Sequence, residues 1–273
     1  PLLRIIGSEV DALVLHPYYP GARYDPSVWP AVLASAQQAA EDLAEVRRQL
    51  ESTGRTHEIK LLLGEMGVDY VHDTFDDDPL PWTMLLAAVY TTDLLGALVQ
   101  HSAEYQLELG IQHWLHGRLA TCDISYNAET GERFRRPDYY ALQMWTSHFG
   151  ETLVKNTVTC GSFDVKRRYG GVGPFSASPL LAVHTSISAN KLYVLVVNRD
   201  LADDIEAVIR IDGCEPEALA DVYTLNGASV ESTNESGNHN EVRLVHTLIN
   251  QASRELRYTF PAHSTTVIEF VTP

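Results

Sequence analysis

Cationic side chains are scarce in this 273-residue chain: 20 lysines and arginines stand against 36 aspartates and glutamates, a formal net charge of −16. Such a balance repels a phosphate backbone unless the few cations cluster tightly, which argues against nucleic acid as a partner. Only four cations are lysines, at positions 60, 155, 166 and 191, a bias of codon usage more than of function. Cysteine is equally sparse. Cys122, Cys160 and Cys214 are too few and too scattered for a disulfide scaffold or a zinc ribbon, and at most one bridge can form. Long apolar runs are lacking too: the most hydrophobic stretch, Pro79 to Thr92, is interrupted by Asp93, well short of the roughly 20 residues that cross a bilayer. No membrane segment is expected. The chain begins Pro-Leu-Leu-Arg-Ile, with neither an initiator methionine nor the basic-then-apolar pattern of a signal peptide. That points to a start made by processing or by choice of boundaries. Few cysteines and no signal pattern lean towards the cytoplasm, with secretion as the alternative.

What is present is the composition of a folded chain with a sizeable core, 45% hydrophobic and 21% charged. It falls into two halves. To about Gly150, short apolar runs alternate with helical patterns, the signature of βα units around a parallel sheet. Val10 to His16 reads as a strand that ends in the breaker-rich Pro-Tyr-Tyr-Pro-Gly. Asp25-Pro26-Ser27 then offers cap and first-turn chemistry for a helix in which Val32, Ala36, Ala40, Leu43 and Leu50 recur at helical spacing and Gly54 closes the last turn. Ile59 to Leu63 is a second strand, running into Gly64-Glu65-Met66-Gly67. After an acidic loop, Trp82 to Ser102 reads as a helix apolar around most of its circumference, hence buried on most sides. Leu107 to Leu115 is a third strand candidate, and Pro137 to Gly150 a closing helix.

Beyond Gly150 the period changes to two, with strands expected over Leu192 to Asn198, Ile205 to Ile211, Asp221 to Leu225, Val242 to Leu248 and Thr265 to Val271. This is the pattern of an antiparallel sandwich. Asn226-Gly227 is a hairpin-type signal, and Ser232 to Asn240 reads as a polar, mobile loop. Its Asn234-Glu235-Ser236 fits a glycosylation sequon, a frequency expected by chance. A complete (β/α)8 barrel takes about 250 residues, so three strands in the first half leave two alternatives: a small open α/β domain, or the C-terminal portion of a barrel whose first strands lie elsewhere.

Reactive groups of parallel βα folds gather at the C-terminal ends of the strands. His16, Glu65 and Gln112, spaced 49 and 47 residues apart, mark three such ends, and with them come Tyr18, Tyr19, His113, Trp114 and His116. A carboxylate that ends an apolar strand is costly to bury unless hydrogen-bonded, which singles out Glu65. From position alone it is as readily a surface or salt-bridged glutamate. The neighbouring ends shift that balance, because hydroxyl, imidazole, amide and indole groups together suit a sugar ring, with donors for its hydroxyls and an aromatic face for its C–H bonds. Trp29, Trp82 and Trp145 are read as core or loop anchors.

His16-Pro17-Tyr18-Tyr19-Pro20 resembles the strand-six signature of family 51 α-L-arabinofuranosidases, and Ile59 to Val68 resembles their strand seven, which ends in the catalytic nucleophile. Leu86 to His101 and the strand around Gln112 are similar to the segments leading into and forming strand eight. Arg136 to Gly150 is similar to the last barrel helix, and Pro179 to Gly213, with Val197-Asn198-Arg199, to the C-terminal sandwich. The sequence departs from the family where Gly64 precedes the glutamate in place of aspartate, and where Met66-Gly67 replaces Trp-Asn. The resemblance implies an α/β plus all-β chain: residues 1–150 as the C-terminal part of a (β/α)8 TIM barrel and residues 151–273 as an antiparallel β-sandwich. It implies a retaining glycoside hydrolase with Glu65 as nucleophile, Tyr18 or Tyr19 bonded to it, and His16, Tyr18, Tyr19, Gln112 and Trp114 binding substrate. No cofactor and no metal are implied. The partners are a carbohydrate, most readily an α-L-arabinofuranoside with β-glucan or xylan as the alternative, and an N-terminal polypeptide that completes the barrel; a homo-oligomer is compatible. The acid/base residue has no counterpart here, since Asn234-Glu235 is a dipeptide match in a sandwich loop.

Other classes fit less well. His113 and His116, three apart on a strand, point to opposite faces and make a poor metal pair with His72-Asp73 or His16. No G-x-S-x-G elbow is present, and Gly170-Gly171-Val172-Gly173 is too short for a dinucleotide loop. A non-catalytic carbohydrate-binding or subunit-interaction protein is the main competitor.

Overall fold

Short, continuous apolar runs give the first half its sheet. In the computed structural model, which describes residues 10–20, 26–54, 59–69, 81–105, 107–109, 124–126, 130–235 and 237–273, the first strand is β1 (Ala12–Leu15), continued after His16-Pro17 by β2 (Tyr18–Pro20). A 3-10 turn at Pro26–Val28 leads into α1 (Trp29–Leu33) and, beyond Ala34, α2 (Ser35–Glu51). The single helix expected here is thus two, and neither has a side-chain cap; Asp25 lies outside the described residues. Ala36, Ala39, Leu43 and Leu50 form the buried stripe of α2, with Ala39 in the place expected for Ala40. Gly54, at φ +75°, closes it.

β3 (Lys60–Leu63) and β4 (Gly67–Asp69) follow, then a 3-10 turn at Pro81–Thr83, α3 (Leu85–Tyr105) and β5 (Leu107–Leu109). β1, β3 and β5 pair in parallel with β3 central, Leu15 opposite Leu63 and Leu63 opposite Leu109. The remainder of the third expected strand, 110–115, lies outside the described residues. As its pattern requires, α3 is buried on most sides, from Leu85, Leu86 and Val89 to Leu94 and Leu98. β6 (Ile124–Tyr126) and β7 (Arg133–Arg135) form an antiparallel pair before α4 (Pro137–Ser147), which opens on a proline whose missing N–H costs nothing there. Among the described residues no helix is long and apolar enough to cross a membrane.

Antiparallel strands make up the rest: β8 (Thr152–Leu153), β9 (Ser162–Val165), β10 (Phe175–Pro179), β11 (Leu181–Ser188), β12 (Lys191–Asn198), β13 (Ile205–Arg210), β14 (Ala220–Asn226), β15 (Arg243–Ile249), β16 (Glu255–Phe260) and β17 (Thr265–Val271). Six of them form one sheet in the order β15-β14-β17-β12-β11-β8, while β13 pairs with β16 and β9 with β10. One face of the large sheet packs Val194, Val196, Val222, Ile268 and Phe270 against Leu256 and Phe260 of β16, so the sandwich has its own core. From the other face, Leu195, Val197, Leu225 and Val267 join the core built by α1, α2 and α3. The two halves therefore share apolar packing.

Two buried polar ties cross that shared core. Asp93, just before the middle of α3, receives Arg199 Nε at 2.8 Å and Nη2 at 2.7 Å, while Arg199 Nη1 donates to the Pro179 carbonyl at 3.1 Å. Burial by itself pushes the Asp93 carboxyl up, but the Arg199 charge and the hydrogen bonds outweigh it and hold the group below its ordinary value. Gly96, one turn on, touches the His184 ring: a Cβ there would lie 2.1 Å from His184 Nε2, so only glycine fits. At the far end of α4, buried Glu269 takes His148 Nδ1 at 2.7 Å and Lys191 Nζ at 2.5 Å. Against its burial, those two partners lower its carboxyl as well.

The connection from Asn226 to Arg243 corrects two expectations. Asn226-Gly227 does not turn a tight hairpin; β14 and β15 pair, but the chain between them folds back so closely that a Cβ on Gly227 would lie 2.7 Å from Ser232 Cβ. Nor is Ser232 to Asn240 a free polar loop, because Asn234 is buried, its amide donating to the Arg135 and Val242 carbonyls and its Oδ1 accepting the Val242 N–H, each at 2.8 Å. The acceptor nitrogen of the sequon is thereby engaged. Glu235 pairs with Nε of fully buried Arg136 at 2.7 Å. Cys160 and Cys214 are free thiols; Cys122 lies outside the described residues.

Asp93→Ala, which strands the buried Arg199 guanidinium, is expected to cost about 3–5 kcal/mol of stability, while Asp93→Leu with Arg199→Met regains most of it, read by denaturant unfolding. Because the Asp93 and Glu269 carboxyls are held low in the fold, their contribution is complete above their unfolded values and fades as pH falls through the folded ones. The melting temperature should accordingly drop below about pH 4, and a flat acid profile would contradict this.

Candidate active site

Ladder register places the candidate carboxylate. Leu15 pairs with Leu63 and Tyr18 with Gly67, so between these rungs the first segment spends His16 and Pro17 while the second spends Gly64, Glu65 and Met66. The second segment carries one extra residue, a bulge that turns a side chain out of the pleat beside the strand ends. Pro17 has no N–H to continue the ladder, and the last rung before the bulge is Gly64 N–H to the Leu15 carbonyl at 3.1 Å. Gly64 is required by contact: its Cβ would lie 2.6 Å from Val14 Cγ1 and 2.8 Å from His16 Nε2.

On this bulge the Tyr18 hydroxyl donates to Glu65 Oε2 at 2.7 Å, and His16 Nδ1 stands 3.7 Å from the same oxygen. The Glu65 side chain is 13% exposed and that of His16 45%, so the carboxylate is largely desolvated yet reachable. A phenol donating to it favours the ionised form. The site therefore holds a carboxylate with one oriented donor, able to act as a nucleophile or as an acceptor for a sugar hydroxyl.

Of the two tyrosines, Tyr18 makes the bond to Glu65 and Tyr19 does not. The Tyr19 hydroxyl instead donates to Asp42 of α2; burial first, then that bond and the Asp42 charge, push its ionisation far above the ordinary phenol value, so it stays neutral. Tyr19 and His16 line a cavity of about 300 Å³ with Leu15, Asp42, Leu43 and Leu63. Gln112 and Trp114, like His113 and His116, lie outside the described residues. Trp29 is buried in the core, and Trp145 packs on Phe149 and His184. Among the described residues no three His, Cys, Asp or Glu side chains group as metal ligands.

One residue near the site has no mark in the sequence. Tyr90 of α3, 2% exposed, donates its hydroxyl to the Pro17 carbonyl at 3.2 Å and accepts the Tyr19 N–H at 3.4 Å. Within an apolar helix the only hint is that a buried phenol must find a polar partner.

A carboxylate raised on parallel strand ends, with an antiparallel sandwich packed on the helices that follow those strands, is the arrangement of a glycoside hydrolase family. The model of the α-L-arabinofuranosidase C-terminal domain matches residues 118–264, just over half of the chain, and the chain belongs to that family. A comparison with curated proteins finds no match. Among solved structures, an α-L-arabinofuranosidase from Thermotoga maritima in complex with arabinose is 24% identical, with a TM-score of 0.81 over 100% of this chain and 55% of that one. The thermostable family 51 enzyme of Thermotoga petrophila RKU-1 is 25% identical, with a TM-score of 0.78 over 98% and 55% of the two chains. A family 44 xyloglucanase from Paenibacillus polymyxa shares the fold at 14% identity and a TM-score of 0.60, over 99% and 48%. The chain spans about half the length of the solved relatives it matches.

Gly64→Ala should displace the His16 ring or the bulge itself, since its new methyl has no room; a melting temperature and a His16 ring NMR signal identical to the wild type would refute this reading of the contact.

Proposed function

We propose that this protein is a retaining glycoside hydrolase acting on α-L-arabinofuranosides, with Glu65 as the nucleophile. The observation that carries the reading is the Tyr18–Glu65 hydrogen bond of 2.7 Å, which presents an oriented, mostly desolvated carboxylate at the C-terminal ends of adjacent parallel strands. In this reading β1, β3 and β5 are the last three strands of a (β/α)8 barrel. The exposed flank of β1 supports it: Leu13 and Leu15 pack into the core while Val14, on the opposite face, is 58% exposed, although a parallel sheet is ordinarily covered on both faces. The rest of the barrel, from an N-terminal segment or a second polypeptide, would cover that face and bring the acid/base residue.

Chemistry then follows in two steps. Glu65 attacks the anomeric carbon as the acid/base carboxyl, about 5 Å away across the glycosidic bond, protonates the departing oxygen; water, deprotonated by that same group, then releases the sugar from Glu65. Tyr18 sets the angle of Glu65 and keeps it ionised before attack. As the carboxylate charge is spent in forming the ester, the phenol is left to release its bond, so Tyr18 also governs how readily the intermediate breaks down. His16 binds a substrate hydroxyl, Gln112 another, and Trp114 forms the apolar wall.

Glu65→Gln keeps the shape and removes the charge. In the enzyme with its barrel complete it should lower release of nitrophenol from the arabinofuranoside by roughly a thousandfold or more while sugar binding persists. Xyloside and cellobioside substrates, assayed in parallel, rank the sugar. Undiminished turnover by this variant would remove Glu65 from the nucleophile role, and intact-mass measurement of native material that is active as a single 30.4 kDa chain would remove the need for a second segment.

A further inference from the structure

The sandwich holds α3 at two heights. At its first turn, the Leu85 and Leu86 N–H groups, which no helix can satisfy internally, donate to the Ser232 and Val230 carbonyls at 2.8 Å each, and Thr233 Oγ1 donates to the Thr83 carbonyl at 2.8 Å. One turn past Tyr90 comes the doubly bonded Asp93–Arg199 pair. Tyr90 thus sits on a stretch of helix fixed from both sides, and its hydroxyl reaches across to the Pro17 carbonyl and the Tyr19 N–H, the peptide groups on either side of Tyr18.

We infer that Tyr90 is a positioning residue for the Glu65 chemistry: it fixes the backbone of the Pro17–Tyr19 segment, and through it the angle at which the Tyr18 hydroxyl meets Glu65. The inference rests on the function proposed above for that site. Pro17 marks where the brace acts: the ladder between β1 and β3 stops there and resumes between β2 and β4 at Tyr18, and across that gap the Tyr90 hydroxyl adds to the Tyr18 N–H to His16 carbonyl bond of 3.1 Å. The same geometry gives the sandwich a part in the reaction, since the 230–235 connection and Arg199 set the position from which Tyr90 reaches. Tyr18 and His16 are among the titratable groups placed against Glu65, and a change in Tyr18 geometry alters how easily Glu65 is protonated.

The test is Tyr90→Phe in the complete enzyme, a change that keeps the buried ring and removes one oxygen. Losing the brace should lower kcat by roughly fivefold to tenfold with KM within about twofold. It should also move the acidic limb of the kcat/KM profile to higher pH, because a weaker Tyr18 bond leaves Glu65 easier to protonate. Tyr18→Phe should move the same limb, and the double variant should lose no more than Tyr18→Phe alone. A purely structural Tyr90 would lower the melting temperature without moving the limb. An unshifted limb or fully additive losses, with Glu65→Gln inactive, overturn the positioning role and leave the proposed function standing. Full turnover by Glu65→Gln overturns both.

Discussion

Helix α3 is apolar on nearly every side, and its one charged interior residue, Asp93, fixes how the two halves of the chain meet. Two guanidinium nitrogens of Arg199 bond that carboxylate in a dry setting, where misplacement of either partner leaves a charge without water or counter-ion. Apolar packing between helices and a sheet tolerates sliding; a bidentate ion pair does not. Gly96 adds a steric stop against His184. With α3 held this way, its first turn docks on the 230–235 connection and its Tyr90 reaches the strand ends, so the geometry at Glu65 inherits its accuracy from contacts made by the sandwich.

The candidate site depends on a mismatch of one residue. Two parallel segments of the chain pair, part for unequal lengths at His16-Pro17 and Gly64-Glu65-Met66, and pair again. Such a bulge needs a residue without a side chain where the segments crowd and a residue without an N–H where the ladder stops, and Gly64 and Pro17 fill these places. At Gly64 the crowding comes from the side chains of Val14 and His16.

Where expectation and structure part, the reason is contact at long range in sequence. Ser232 to Asn240 has the composition of a mobile loop, yet Asn234 and Glu235 find Arg135, Val242 and Arg136; polar residues look alike in sequence whether water or a buried partner satisfies them. Asn226-Gly227 carries a hairpin signal overridden because the chain beyond it has a helix terminus to cap. Tyr18 and Tyr19 are equivalent on paper, but strand alternation sends one hydroxyl to Glu65 and the other to Asp42. β11 escapes the periodicity because Thr185 and Ser186 occupy buried positions beside its apolar ones, whereas β16 does alternate, Leu256, Tyr258 and Phe260 with polar residues between them, a pattern the expected strands passed over.

The sequence by itself determined the periodic features: parallel strands near residues 12, 60 and 107 joined by helices, an antiparallel second half, and a glutamate at a strand end with hydroxyl and imidazole groups near it. These follow from local pattern, since side-chain spacing of two or of 3.6 is written in consecutive residues. Only the tertiary structure decided that Asp93 meets Arg199 across 106 residues, that Tyr18 and not its neighbour holds Glu65, and that the Tyr90 hydroxyl meets the peptide groups on either side of Tyr18 from a third element. Each of these is a choice among chemically equivalent partners. It is settled by where the backbone brings them within hydrogen-bond reach, and no local pattern encodes that distance.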